Sequence, residues 1–207
     1  MGREIEKTEG VILGSQGYGE GDRIITVFTP DFGLIKLFAK GASRPRSKHG
    51  AATTPLVRAE FLYTRGRSDL YRLLEGSVVD PFLHLRDSLT ALETAGHLIQ
   101  DILASQWPGK AAPLLYSLVI HYLTHLSSVP PESLLASFRL KILCHEGLLA
   151  VTETRLDADF PLPLTPTDMA LAYQLASTRS FTRLAAIPVS ESLARSISTL
   201  FAQMPML

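Results

Sequence analysis

Nine basic side chains lie within residues 36–72: Lys36, Lys40, Arg44, Arg46, Lys48, Arg58, Arg65, Arg67 and Arg72. Only Glu60 and Asp69 oppose them, in a chain whose formal net charge is zero. Clustered ammonium and guanidinium groups bind polyanions, and guanidinium offers paired N–H donors to phosphate oxygens. The densest part, Lys40-Gly-Ala-Ser-Arg-Pro-Arg-Ser-Lys48, is rich in turn formers. Nucleic acid is the partner such a loop fits. The candidate contacts are Lys40, Arg44, Arg46, Lys48, Arg65 and Arg67, with Arg23, Lys36 and Arg72 beside them. A solvated loop made basic for solubility is the competing reading. Tyr63, Phe61 and Tyr71 could stack on bases, although their apolar neighbours point to the core.

Few other residues are spaced for chemistry. His121 and His125 stand four apart, a spacing that can chelate a metal on one helix face. They lack both the intervening Glu of a zinc hydrolase and a third ligand. Cys144-His145 is one thiol beside one imidazole, and adjacency in sequence supplies neither the base nor the orienting group a nucleophile needs. No Gly-x-Ser-x-Gly elbow occurs. Glu20 and Asp22 are a carboxylate pair without the third partner a two-metal nuclease requires. Gly17-x-Gly19-x-Gly21 has the look of a phosphate loop, but it leads into Asp22-Arg23-Ile24-Ile25-Thr26-Val27, a strand, where a phosphate cradle would lead into a helix. With Gly14 it reads as a flexible loop. No catalytic residue, cofactor or metal is expected.

The elements that must position the basic residues are strands. Residues 8–13, 23–29, 34–39, 56–64 and 70–78 are β-branched, apolar or alternating, and turn signals separate them. Pro30-Asp31-Phe32-Gly33 makes a hairpin of the second and third, with Gly33 free to take a positive φ. In the fourth, Val57, Ala59, Phe61 and Tyr63 share one face. Five short strands without a helix between them predict a small closed barrel. The OB-fold is the five-stranded barrel that most often binds oligonucleotides, and an SH3-like barrel is also open.

From residue 81 the period becomes helical. A first helix carries Leu85, Leu89, Leu92, Ile99 and Leu103, with Gly96 admitting a close neighbour. A second carries Leu114, Leu115, Leu118, Val119, Tyr122 and Leu126, and a third Leu134, Leu135, Phe138, Ile142 and Leu143. Thr165-Pro166-Thr167-Asp168 reads as a capping box. Ser190 caps a last helix with Leu193, Ile197, Leu200 and Phe201. These stripes are read as core, forming a bundle whose grooves could hold a peptide. The expected fold class is therefore α+β, with a barrel over residues 1–80 and an all-helical domain over 81–207.

Composition sets the outer bounds. The 207 residues are 46% hydrophobic and 19% charged, enough for a real core. Residues 1–79 hold 12 Lys/Arg against 9 Asp/Glu, and residues 80–207 hold 8 against 11. The two halves are thus suited to different partners. One cysteine excludes an internal disulfide and points to a cytosolic protein. The charged N-terminus does not read as a signal peptide, and the longest apolar stretch is too short and polar to span a bilayer.

Several blocks in order carry a family resemblance. They are Thr8-Glu9-Gly10-Val11-Ile12-Leu13, then Tyr18-Gly19-Glu20-Gly21-Asp22-Arg23, then Gly33-Leu34-Ile35, then Ala39-Lys40-Gly41-Ala42 with Arg44-Pro45-Arg46-Ser47. This order resembles the N-terminal domain of RecO, a bacterial recombination and DNA repair family. The likeness extends through Leu74-Glu75-Gly76 and Pro81-Phe82, weakens toward residue 143 and fades after residue 147. It implies an OB-fold followed by a helical domain, binding of single- and double-stranded DNA, and annealing of complementary strands. It further implies action with RecR on DNA coated by single-strand binding protein, helping RecA to load, and contact of the helical domain with that protein's C-terminal tail. The setting implied is the bacterial cytoplasm at the nucleoid. Many RecO proteins carry a four-cysteine zinc module. Residues 151–168 here contain no Cys or His, so the zinc module is expected to be absent. A non-catalytic module whose basic loop docks an acidic protein is the alternative.

Overall fold

The computed structural model describes residues 4–66, 68–153 and 155–204. Five strands open the chain: β1 (Glu4–Tyr18), β2 (Asp22–Thr29), β3 (Gly33–Ala39), β4 (Arg58–Arg65) and β5 (Leu70–Asp80). β1 pairs antiparallel with β4 through its first half and with β2 through its second. Antiparallel pairs also join β2 to β3 and β4 to β5, while β3 and β5 run parallel. The ring β1-β2-β3-β5-β4 closes, so none of the five has an unpaired edge along its whole length. The parallel β3–β5 pair breaks the simple up-and-down order and gives the Greek-key connectivity of an OB-fold.

Alternation decides which side chains fill the barrel. Ile25, Val27, Leu37, Ala59, Phe61 and Tyr63 are fully buried in one cluster. Phe61 and Tyr63 are therefore core, each contributing on the order of 2 kcal/mol by burial, and are not available to bases. Tyr71 stacks on Tyr63, with ring centroids 5.5 Å apart.

The structure corrects the glycine-rich loop. β1 continues through Gly14 and Gly17 to Tyr18, and Gly14 faces Thr26 while Gln16 faces Ile24. Only residues 19–21 form the turn. An irregular step between Ile12 and Gly14 lets the long strand change partners.

Two compact units form: the described residues through Leu83 with Gln106–Val119, and His84–Ser105 with Ile120 onward. A simple division at residue 80 puts Gln106–Val119 with the helices. The structure returns that segment to the barrel, because the β2–β3 turn leaves carbonyls and an N–H that it pairs. Gly109 N–H donates to Phe32 O (2.9 Å), Ala112 N–H to Pro30 O (2.9 Å), and Leu34 N–H to Trp107 O (3.3 Å). Gly33 makes the approach possible. Its φ is +62°, and a Cβ there would lie 2.4 Å from Trp107 O.

The helices are α1 (Leu89–Ser105), α2 (Pro113–His125), α3 (Pro131–His145), α4 (Pro166–Ser177), α5 (Phe181–Ala185) and α6 (Glu191–Ala202). In the second unit α3 is central, packed by α1, α4, α5 and α6. The stripe expected on α1 is displaced. Leu89, Leu92 and Leu103 are exposed, and Ala91, Ala95, Leu98 and Ile102 are buried, because small residues let the helix pack closely. Gly96 serves no close approach, since a Cβ there would meet nothing within 4 Å. Thr165 accepts from Asp168 N–H at 3.1 Å, and Ser190 from Leu193 N–H at 3.2 Å, as both caps require. A short hairpin, β6 (Ala150–Val151) and β7 (Leu156–Asp157), lies in the stretch without Cys or His. Among the described residues no helix is long and apolar enough to cross a membrane.

Candidate nucleic-acid interface

The β3–β4 connection, rich in turn formers, is a succession of backbone-bonded turns. Arg44 N–H donates to Gly41 O, Ser47 N–H to Arg44 O, and Gly50 N–H to Ser47 O, at 3.1–3.2 Å. Its start is fastened to the β1–β2 turn by Ser43 N–H to Gly21 O (2.9 Å) and Gly41 N–H to Asp22 Oδ1 (2.7 Å). Its end is held by the Thr53 hydroxyl, which donates to His49 O at 2.9 Å. Gly41 takes φ +68°, which lets the chain turn sharply out of β3. Lys40, Arg44, Arg46 and Lys48 project from this fixed backbone and are exposed.

Arg23 takes part in building the loop. Its position on β2 shares parity with buried Ile25. Its Nε donates to Ser43 Oγ (3.0 Å) and its Nη1 to Thr53 Oγ1 (3.2 Å), so one guanidinium bridges the loop's two ends. His49 is 92% buried at the loop's foot, from 8% exposure. Burial, then the nearby Lys48 charge, lowers its pKa against a weaker pull from Glu75. The imidazole is thus neutral at pH 7, and the loop's charge comes from Lys and Arg.

Lys36 and Arg72 lie on the barrel wall. Both are exposed and point outward from β3 and β5, where Lys36 faces Leu70 and Phe38 faces Arg72. Among the described residues Lys36, Lys40, Arg44, Arg46, Lys48 and Arg72 form no ion pair. Arg65 is committed in part, lying 3.4 Å from Glu6 Oε1 and over the Tyr71 ring. Arg58 is fully committed to Glu9. Arg67 lies outside the described residues. Sequence reasoning passed over Phe38 and Tyr18. The signal was present in β3, where Lys36 and Phe38 share the parity opposite to Ile35 and Leu37.

The His125 ring stacks on Phe181 at 4.3 Å, and its Nδ1 faces His121 O at 2.9 Å, which takes that nitrogen away from a metal. Among the described residues no three of His, Cys, Asp and Glu come together as a metal site. A mostly apolar groove of about 480 Å³ is lined by Leu143, Leu148, Phe160, Pro161, Leu200 and Met204, with Gln203 as its polar member.

Residues 1–82 match the family described as "Recombination protein O N terminal". The front of this chain is similar to the RecO N-terminal domain family. That assigns the closed five-stranded sheet to the OB-fold and sets aside the SH3-like barrel. Similarity to RecO reaches past the barrel. The chain is 33% identical over 144 residues to the DNA repair protein RecO of Chlamydia pneumoniae, covering 69% of this chain and 57% of that protein. It is 32% identical over 151 residues to that of Pelotomaculum thermopropionicum, covering 72% and 58%. With Acetivibrio thermocellus RecO the identity is 32% over 146 residues, covering 68% and 57%. The matched region thus spans under two thirds of these RecO proteins.

Proposed function

We propose that this chain is a DNA repair and recombination mediator that grips the sugar-phosphate backbone without reading sequence. The observation that carries the reading is a turn-built, backbone-bonded loop bearing four exposed cations, with two more on the adjoining barrel wall, none held by a carboxylate among the described residues. Cations left unpaired on a preformed backbone bind phosphates with little ordering cost. No side chain of the loop is arranged in a fixed pair for a base edge, so contacts of this kind position DNA and do not specify it. Single- and double-stranded DNA are both substrates on this reading. Screening the repulsion between two held strands would favour their annealing.

The names of the relatives and the OB-fold support placing this activity in DNA repair at the bacterial nucleoid. By the same reading the protein acts without catalysis, together with RecR, on DNA coated by single-strand binding protein, and assists RecA loading. The C-terminal tail of single-strand binding protein docks on the helical unit, whose apolar groove accepts hydrophobic side chains. The test is anisotropy of two labelled single strands of unrelated sequence, titrated with salt. Similar affinities are expected, with log affinity falling against log salt at a slope of about −3.5 for some five neutralised phosphates. A strong sequence preference, or no salt dependence, would defeat the proposal.

A further inference from the structure

The barrel's outer wall carries an ordered pattern that backbone binding alone does not use. Register aligns outward positions across four strands. One row is Gly14, Thr26, Lys36 and Leu70, and the next is Gln16, Ile24, Phe38 and Arg72. Tyr18 stands at the corner, 57% exposed. Its ring meets that of Phe38 edge-on, with centroids 5.8 Å apart. Neither row contains a carboxylate. Asp22, which faces Tyr18 across the β1–β2 pair, is turned to the loop and accepts the Gly41 N–H.

We infer that this wall stacks the unpaired bases of a single strand, with Tyr18 and Phe38 each taking a base while Lys36 and Arg72 hold the flanking phosphates. The inference rests on the proposed function and deepens it by naming the form of nucleic acid the wall selects. Aromatic faces beside unpaired cations suit a ligand that alternates flat apolar rings with negative charge. A single strand is such a ligand, and stacking on aromatics is indifferent to base identity. A duplex keeps its bases stacked on one another. It can engage the loop cations but leaves both rings unused, so the wall separates the two forms while the loop serves both.

The experiment compares three ligands of equal length on the full chain at one salt concentration: oligo-dT, an abasic strand with the same phosphates, and a duplex. The unaltered protein should bind dT about tenfold or more tighter than the abasic strand. Tyr18→Ala should bring dT most of the way toward the abasic value and leave the duplex unchanged, and Tyr18→Phe should retain dT binding. Phe38→Ala should act in the same direction. Because Phe38 is half-buried, unchanged duplex affinity also reports that this variant is folded. Equal binding of dT and abasic strands by the unaltered protein would overturn the stacking wall and leave the loop reading standing. So would an equal loss for dT and duplex in Tyr18→Ala. Failure of all three ligands to bind would overturn both readings together.

Discussion

Arg58 meets Glu9 side-on, its Nε and Nη2 each 2.9 Å from a different carboxylate oxygen. The Tyr116 hydroxyl donates to the same carboxylate at 2.8 Å. One of the nine cations in the basic stretch is thus spent on tying Gln106–Val119 to the barrel. Burial raises the Glu9 carboxyl, but the bonds from Arg58 and Tyr116 outweigh it and hold the group below its ordinary value. A depressed carboxyl contributes stability that is whole above the unfolded pKa, near 4.3, and is lost as pH falls through the folded value. Urea unfolding should show that loss in the unaltered protein and a smaller one in Glu9→Gln. At neutral pH Glu9→Gln should cost about 1 kcal/mol, since the pair is partly screened by solvent.

Arg23 braces the loop through Ser43 and Thr53, and on the proposed reading it affects DNA through that loop. Thr53→Val removes one of its two partners without changing charge. The variant should weaken DNA binding severalfold while the salt slope stays the same, because no phosphate contact is lost. A slope reduced in Arg23→Gln by a full contact would instead make Arg23 a phosphate ligand.

Arg46 stands at φ +61°, a conformation that costs a side-chain-bearing residue about 1 kcal/mol. Arg46→Gly should therefore leave thermal stability unchanged or slightly raised and still lower DNA affinity. A residue whose removal relieves strain yet impairs binding is held there for function.

Lys141 offers a pH dependence of the same sign in the alkaline range. Its ammonium lies over the Tyr122 ring and donates to Thr178 O at 2.6 Å. Burial, helped by Arg179 and opposed by Cys144, lowers its pKa to about 8. Between about 8 and the unfolded value near 10.4 the folded chain holds fewer protons than the unfolded one. Stability should then rise with pH across that window, by on the order of 1 kcal/mol after allowance for solvent. Lys141→Met should flatten the rise in a urea-midpoint series.

Alternation and turn residues in 23–39 and 56–64 pointed to the barrel and its Gly33 hairpin, because Ile25, Val27, Ile35, Leu37, Val57, Ala59, Phe61 and Tyr63 fill the inward positions. The long β1 escaped because Gly14 and Gly17 read as loop formers, and only cross-strand pairing with β2 shows that they are ladder residues. The α1 stripe misled for a related reason: leucines mark burial less well than alanines where helices pack closely. In the candidate site, the cations could be listed from sequence but not sorted. Arg58 and Arg23 have the same composition signal as Arg44, and only the folded chain brings Glu9 to the first and Ser43 and Thr53 to the second. Tyr18 and Phe38 went unnoticed because stacking was sought on β4 and β5, where Phe61 and Tyr63 face inward and Tyr71 is stacked on Tyr63.

The central claim is that the turn-built loop carries a fixed set of phosphate contacts. It is tested by the salt slope of single-strand binding in the triple variant Arg44→Ala, Arg46→Ala, Lys48→Ala. Losing three contacts should flatten the slope by about 2 and weaken all sequences alike. A slope equal to that of the unaltered protein would contradict the account and take the loop out of the mechanism.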